Sequence, residues 1–169
     1  REKPFFKNTL FIILGDHGFS VENQISNINL LRFHVPMLLL GPGIKEAYGD
    51  HSDKVGTQVD IVPTIMGLLG KPFQHQCWGR NLLTLAEEDT GIGIIKPEGD
   101  ESTVAIVQGS YLLTDDPQQG SQLLKYELYP EAGAESIKNE ALEESMKDKL
   151  HAYISTALMA LKNNTAGPQ

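Results

Sequence analysis

The sequence predicts an α/β fold, with mainly parallel central strands flanked by helices, then a small antiparallel meander and a long C-terminal helix. An unbroken apolar run at 10–14 is typical of a strand covered on both faces, as in the middle of a parallel sheet. Short β-type runs at 103–107, 110–114 and 123–129, separated by turn residues, indicate the meander. Apolar residues at three- and four-residue spacings from 136 to about 162 indicate the helix, with His151 facing solvent.

Composition and length restrict the class of protein. The 169 residues are enough for one domain with a real hydrophobic core. The formal net charge of −8 argues against nucleic-acid binding, for which a basic patch is expected. No apolar run reaches the ~18 residues of a membrane span. Because Arg1 leads almost at once into a central-type strand, we expect a fragment of a longer protein, whose upstream part could carry a membrane anchor or an export signal.

The end of the first strand carries the residues best suited to chemistry. Hydrophobicity stops at Gly15, and Asp16 and His17 follow side by side before Gly18. Open α/β sheets bind ligands at the carboxyl ends of their strands. A carboxylate beside an imidazole suits a dication such as Zn²⁺ or Mn²⁺, and the glycines let the backbone approach a bound ion. The alternative is a turn in which Asp16 only bonds backbone amides, and these residues alone leave both open.

A second apolar run at 36–40, ended by Gly-Pro-Gly at 41–43, predicts the next strand, with Pro36 among its first residues. Arg32 and His34 come just before it. The guanidinium fork of Arg32 matches a phosphate or sulfate oxygen, and its alternative is a surface ion pair. His34 is either a second site residue or an ordinary histidine at the sheet edge.

The segment 57–70 predicts a core-packing helix. Pro63 is tolerated in a first helical turn, which favours Asp60 as the N-cap with Thr57 as the alternative, and Gly70 suits the position after the helix end. By this reasoning Asp60 is a cap and not a catalytic group.

Four motifs in a fixed order carry a resemblance to a known family. They are Gly-Asp-His-Gly at 15–18, the segment 32–43 with Val-Pro, an apolar run and Gly-Pro-Gly, the segment 58–70 with Gln-Val-Asp-Ile-Val-Pro-Thr, and Gly-Arg-Asn-Leu-Leu at 79–83. With these motifs the chain resembles the C-terminal portion of an alkaline phosphatase/sulfatase superfamily enzyme. It is most similar to the branch of lipoteichoic acid synthases and membrane phosphoglycerol transferases. The resemblance implies that 1–100 belong to the catalytic α/β core and 101–169 form a C-terminal subdomain.

The resemblance also implies roles for single residues. Asp16 and His17 match the pair that supplies two ligands to a catalytic divalent metal ion, which could be Mn, Mg, Zn or Ca. Arg32 or His34 matches the stretch where the family often contacts the phosphate or sulfate of its substrate. The nucleophile is a Thr, Ser or modified Cys on an earlier helix, so no catalytic nucleophile is expected in this chain, and the upstream part of the polypeptide would complete the site.

The activity implied is phosphoglycerol transfer through a covalent enzyme intermediate. The alternatives are sulfuric ester hydrolysis and, further, a non-catalytic binding module that retains the fold. The expected partner is a phosphate or sulfate ester, with a lipid headgroup as one candidate, and no nucleic acid. The isolated chain is expected to be inactive. A periplasmic or extracellular location, with an upstream membrane anchor, follows from the resemblance alone.

Overall fold

A computed structural model describes residues 3–19, 22, 24–70, 72–97 and 102–165. The chain divides into two compact units, Arg1–Asp53 and Lys54–Gln169. The predicted division at residue 100 stays a prediction, because 98–101 lie outside the described residues and compactness does not define a catalytic core. No described helix is both long and apolar enough to cross a membrane.

The first unit contains two short strands that form a two-stranded sheet. Its elements in chain order are a 3₁₀ helix Pro4–Asn8, β1 Phe11–Leu14, α1 Leu30–Phe33, β2 Met37–Leu40 and α2 Ile44–Tyr48. The predicted strands at 10–14 and 36–40 are confirmed. Pro36 lies just before β2, where its missing N–H removes no ladder bond.

The described central strands are not parallel, as was expected within the α/β fold, because β1 and β2 run antiparallel, with Leu14 opposite Met37. A parallel pair needs a crossover that carries the chain back along the sheet. Here the backbone N–H of Gly18, after β1, donates to the carbonyl of Arg32, shortly before β2, at 2.8 Å. The chain is therefore held close to the end of β1 before it enters β2, and the two strands run in opposite directions. Full coverage of both faces is also not observed, since Ile13 and its partner Leu38 are exposed.

The second unit is built on a five-stranded antiparallel sheet in sequence order and a long C-terminal helix, which confirms the predicted meander and helix. Its elements are α3 Ile61–Leu68, β3 Gly93–Ile95, β4 Val104–Gln108, β5 Tyr111–Asp116, β6 Gly120–Glu127, β7 Gly133–Ser136 and α4 Glu140–Lys162, with 3₁₀ turns at Gln58–Asp60 and Leu82–Thr84. The helix begins four residues later than predicted because 133–136 pair with β6 as an edge strand. Asn139 caps the helix, accepting the N–H of Leu142 at 3.1 Å.

Both faces of the central strands of this sheet are buried, and one part of the core lies between one face of the sheet and one face of α4. Alternate residues of the strands point to the same side of a sheet, and residues four apart share a helix face. Ile106, Leu113 and Leu123 from the sheet therefore meet Met146 and Leu150 from α4, and all five are buried.

Replacing Met146 by Ala should lower the free energy of unfolding of the second unit by about 2–5 kcal/mol, because it removes a fully buried side chain and leaves a cavity. Met159→Ala is the matched control, since that methionine lies on the same helix and is exposed. It should change stability by less than about 0.5 kcal/mol. Urea unfolding followed by Trp78 fluorescence measures both, and equal losses in the two variants would contradict this core.

Candidate functional site

Asp16 and His17 lie together at the carboxyl end of β1. Their side chains are 90% and 77% exposed, and Nε2 of His17 is 3.8 Å from Oδ1 of Asp16. The two side chains are thus neither splayed to opposite sides nor sealed in a core. The predicted placement, an acid and an imidazole presented side by side at the exit of a strand, is what the structure has.

The backbone orients both groups. The N–H of His17 donates to Oδ1 of Asp16 at 3.0 Å. Asp16 thus makes the hydrogen bond to a backbone amide that was its alternative role, and it also lies next to the His17 ring. Nδ1 of His17 lies 2.9 Å from the carbonyl oxygen of Gly18. A carbonyl oxygen only accepts, so a hydrogen bond here places the proton on Nδ1 and leaves the Nε2 lone pair for a ligand, as in metal-binding histidines.

The donor set and its spacing suit a divalent ion. Metal–ligand bonds of about 2.1 Å place two ligands of a tetrahedral ion about 3.4 Å apart. The 3.8 Å between Nε2 of His17 and Oδ1 of Asp16 needs only a small rotation of exposed side chains to reach that value. In the described part of the chain no group of three or more His, Cys, Asp or Glu side chains could hold a metal ion. The pair therefore offers two donor atoms, and an ion held there would need further ligands.

The backbone of Gly18, directly after Asp16 and His17, lies close to the backbone of α1. A Cβ atom at Gly18 would lie 2.3 Å from the carbonyl oxygen of Leu31 and 2.8 Å from that of Arg32, so no other residue fits without moving backbone. Arg32 lies in α1 and His34 follows its last residue, and both side chains are exposed. The structure thus brings the two predicted segments together through their backbones. The substrate-binding roles of Arg32 and His34 stay predictions.

Replacing Gly18 by Ala should lower the stability of the first unit by about 1–3 kcal/mol, because the new methyl group meets fixed carbonyl oxygens. The loss should appear as faster hydrogen exchange of the β1 amides. Gly133→Ala is the control, because nothing lies within 4 Å of a Cβ there. Unchanged β1 protection in Gly18→Ala would show that the close approach is not required.

A second constellation of charged residues was not predicted. Asp60 is only 1% exposed. Its Oδ1 accepts the backbone N–H of Arg80 at 2.6 Å and Nε at 3.3 Å, and its Oδ2 accepts Nη2 of Arg80 at 3.1 Å. Oδ2 also accepts the N–H of Thr57 at 2.8 Å. Asp60 occupies the N-cap position of α3, but its carboxylate makes no capping bond there. The alternative is confirmed one turn earlier, where Thr57 is the N-cap of the 3₁₀ turn Gln58–Asp60 and forms a capping box with Asp60.

A cavity of about 100 Å³ adjoins this pair. Its lining residues are Thr57, Asp60, Trp78, Arg80, Ile92, Ile94 and Tyr153. Ligand pockets usually enclose roughly 300–1,000 Å³, so this space is smaller than a usual ligand pocket and large enough for a few ordered water molecules. Burial, and then the charge of Asp60, raises the pKa of the Tyr153 phenol, which keeps it a hydrogen-bond donor. The hydrogen bonds of Asp60 and Arg80 join the segments at 57–60, 79–80 and 92.

Asp60→Asn should lower the stability of the second unit by about 3 kcal/mol, since it removes the countercharge of Arg80 at a buried site. Trp78 lies beside the pair, so its fluorescence during urea unfolding reports the change. Asp148→Asn on the exposed side of α4 is the control, expected within about 0.5 kcal/mol of the parent. Similar small effects in both variants would contradict a structural role for the pair.

The fold as a whole is similar to that of a solved protein of the alkaline phosphatase superfamily from Vibrio parahaemolyticus. The TM-score is 0.73 at 18% sequence identity, over 99% of this chain and 38% of that chain. An α/β fold of the alkaline phosphatase type, with its five-stranded antiparallel sheet and long terminal helix, is thereby confirmed.

Sequence comparison points to sulfatases. A model of the sulfatase family matches residues 2–71, which include the predicted metal and substrate residues. Arylsulfatase K of Canis lupus familiaris is 33% identical over 92 residues, covering 52% of this chain and 17% of that protein. Arylsulfatase K of Homo sapiens is 35% identical over 86 residues, covering 48% and 16%. The aligned part is about a sixth of the length of each relative. Neither relative is named as a phosphoglycerol transferase, so that branch stays a prediction.

Proposed function

We propose that this chain supplies part of the active site of a sulfatase-type hydrolase, in which Asp16 and His17 bind a divalent metal ion. The observation that carries the proposal is the exposed Asp16–His17 pair at the end of β1, within the segment that matches the sulfatase family. The arylsulfatase relatives favour a sulfate ester over a phosphate ester as substrate.

The proposed roles follow from charge and geometry. Asp16 offers an anionic oxygen and His17 offers Nε2, while the carbonyl of Gly18 holds the ring in that tautomer. A bound divalent ion would supply positive charge that stabilises the attacking oxygen and neutralises the oxygens of the sulfate group. Arg32 would bind sulfate oxygens with its guanidinium fork, and His34 would donate a further hydrogen bond to them.

The remaining groups of the reaction are proposed to come from other parts of the protein. One of these groups is the nucleophile, which would attack the sulfur of the ester while the bond from sulfur to the ester oxygen breaks and the alcohol or phenol leaves. The sulfuryl group would then be released from the nucleophile as sulfate, with water supplying the oxygen that the step requires. The other is at least one further acidic metal ligand. The isolated chain is then inactive. A location on the periplasmic or extracellular side, with an anchor outside these residues, remains part of the proposal.

The decisive experiment uses the longest natural polypeptide that contains this chain, with Asp16→Ala and His17→Ala introduced singly. Each variant should lose bound metal, measured by elemental analysis after dialysis. Each should also hydrolyse an aryl sulfate on the order of a hundredfold or more slowly, because electrostatic stabilisation of the transition state is lost.

His51 and Asp53 provide a matched control in the same unit. Nε2 of His51 is 2.7 Å from Oδ1 of Asp53, and the side chains are 78% and 92% exposed, close to the values for the proposed ligands. Unlike Asp16–His17, this pair does not lie at the end of a strand. His51→Ala and Asp53→Ala should keep both metal and turnover, and equal metal loss in the two sets of variants would overturn the proposal.

The choice of substrate separates the competing functions. Transfer from a phosphoglycerol lipid donor without aryl sulfate hydrolysis would replace the sulfatase assignment by the transferase expected from the motif order. Retained metal with neither activity would indicate a binding module. Both results concern the activity of the whole protein. The loss of bound metal in the Asp16→Ala and His17→Ala variants tests the metal-binding role of these two residues separately.

A further inference from the structure

The helix α3 is apolar on every side. Its sequence from Ile61 to Leu68 contains no charged residue, and Thr64 is its only residue with a hydrogen-bonding side chain. A helix at the surface of a globular protein normally carries polar residues on its outer side, whereas a helix that is apolar all round is buried. By its sequence, α3 therefore needs contacts on two opposite sides.

One side of α3 packs within the second unit. Pro63 and Thr64 are buried, and the hydroxyl of Thr64 accepts the N–H of Leu82 at 3.0 Å. A Cβ atom at Gly67 would collide with the side-chain amide of Asn81, so the helix lies as close to that side chain as glycine allows. The contacts on this side are thus made by residues of the same unit.

The opposite side of α3 is uncovered in the part of the chain that the structure describes. Val62, Met66 and Leu69 are four and three residues apart and therefore share one helix face. Val62 is 57% exposed, Leu69 is 59% exposed and Met66 is half-buried. Val59, three residues before Val62, extends this face and is 38% exposed. We call these four residues the α3 stripe.

The chemistry of the α3 stripe restricts what can cover it. Helices that lie on membrane surfaces carry Lys and Arg beside their apolar face, and α3 contains neither residue. A charged partner would lose its hydration against four apolar side chains that offer no countercharge. The partner that fits is therefore an uncharged, apolar surface of protein.

Much of the related fold lies outside these residues. This chain matches the solved protein of the alkaline phosphatase superfamily over 99% of its own length but covers 38% of that protein. In such layered folds, the apolar face of one element is buried against the apolar face of another. The remaining part of the fold is thus a source of further elements with apolar faces.

We propose that the α3 stripe is an internal docking surface, on which an apolar face of the same polypeptide, from outside these residues, packs. The helix α3 then lies between the second unit on one side and that part of the protein on the other. The proposal concerns packing and not chemistry, so it does not depend on the metal-binding roles of Asp16 and His17.

Cysteine labelling of the longest natural polypeptide that contains this chain tests the proposal. Val62→Cys and Leu69→Cys are introduced singly, because a cysteine side chain is small and apolar enough to keep the packing. Each variant is treated with a maleimide in native buffer and in urea, and peptide mass spectrometry gives the labelling rate at that position. Both positions should react at least about tenfold more slowly in native buffer, since labelling then requires local opening.

Glu144→Cys is the matched control, because Glu144 lies on the exposed side of α4. It should react nearly as fast in native buffer as in urea. Native labelling of both stripe positions at the rate of this control would overturn the proposal. Protection that is lost on dilution to a monomer would assign the stripe to a second copy, and protection that requires added anionic phospholipid vesicles would assign it to a membrane surface. Either result would also overturn the proposal.

Discussion

The buried carboxylate of Asp60 holds together three separate parts of the second unit. It accepts hydrogen bonds from Thr57, just before α3, and from both the backbone and the side chain of Arg80. Arg80 continues to the carbonyl of Ile92, directly before β3, at 2.9 Å. A buried charge is tolerated only when it is paired and hydrogen-bonded, so the segments at 57–60, 79–80 and 92 must keep their spacing. Removing one member leaves the others unsatisfied, which makes the whole group interdependent.

The sequence predicted the individual strands and helices better than it predicted how the strands pair. The apolar runs at 10–14 and 36–40 and the helical spacing of α4 are local patterns, and these elements are present. Strand direction is different, because it depends on a contact between Gly18 and Arg32, fourteen residues apart, that has no local pattern. Edge strands were also missed, since β3 and β7 are only three and four residues long and each begins with glycine.

The candidate sites show the same difference between local patterns, which could be predicted, and contacts between distant residues, which could not. Asp16 and His17 are neighbours in sequence at the end of a recognisable strand, so their proximity could be predicted, whereas the ring orientation set by the Gly18 carbonyl could not. Asp60 and Arg80 are twenty residues apart. Nε2 of His151, a residue expected to face solvent, lies 2.6 Å from Oδ2 of Asp115, which is thirty-six residues away. Contacts between segments that are far apart in the chain bring such pairs together. An acidic residue before a helix is a common cap, which is why Asp60 suggested a local role.

The backbone contact at Gly18 also fixes the spacing between the two segments that carry the candidate site residues. The N–H of Gly18 donates to the carbonyl of Arg32 at 2.8 Å, so the two bonded positions close a loop of chain. The entropy cost of closing a loop grows slowly with its length, so residues added between the bonded positions would cost little free energy. Such a change in chain length would leave the backbone spacing between the Asp16–His17 pair and Arg32 unchanged.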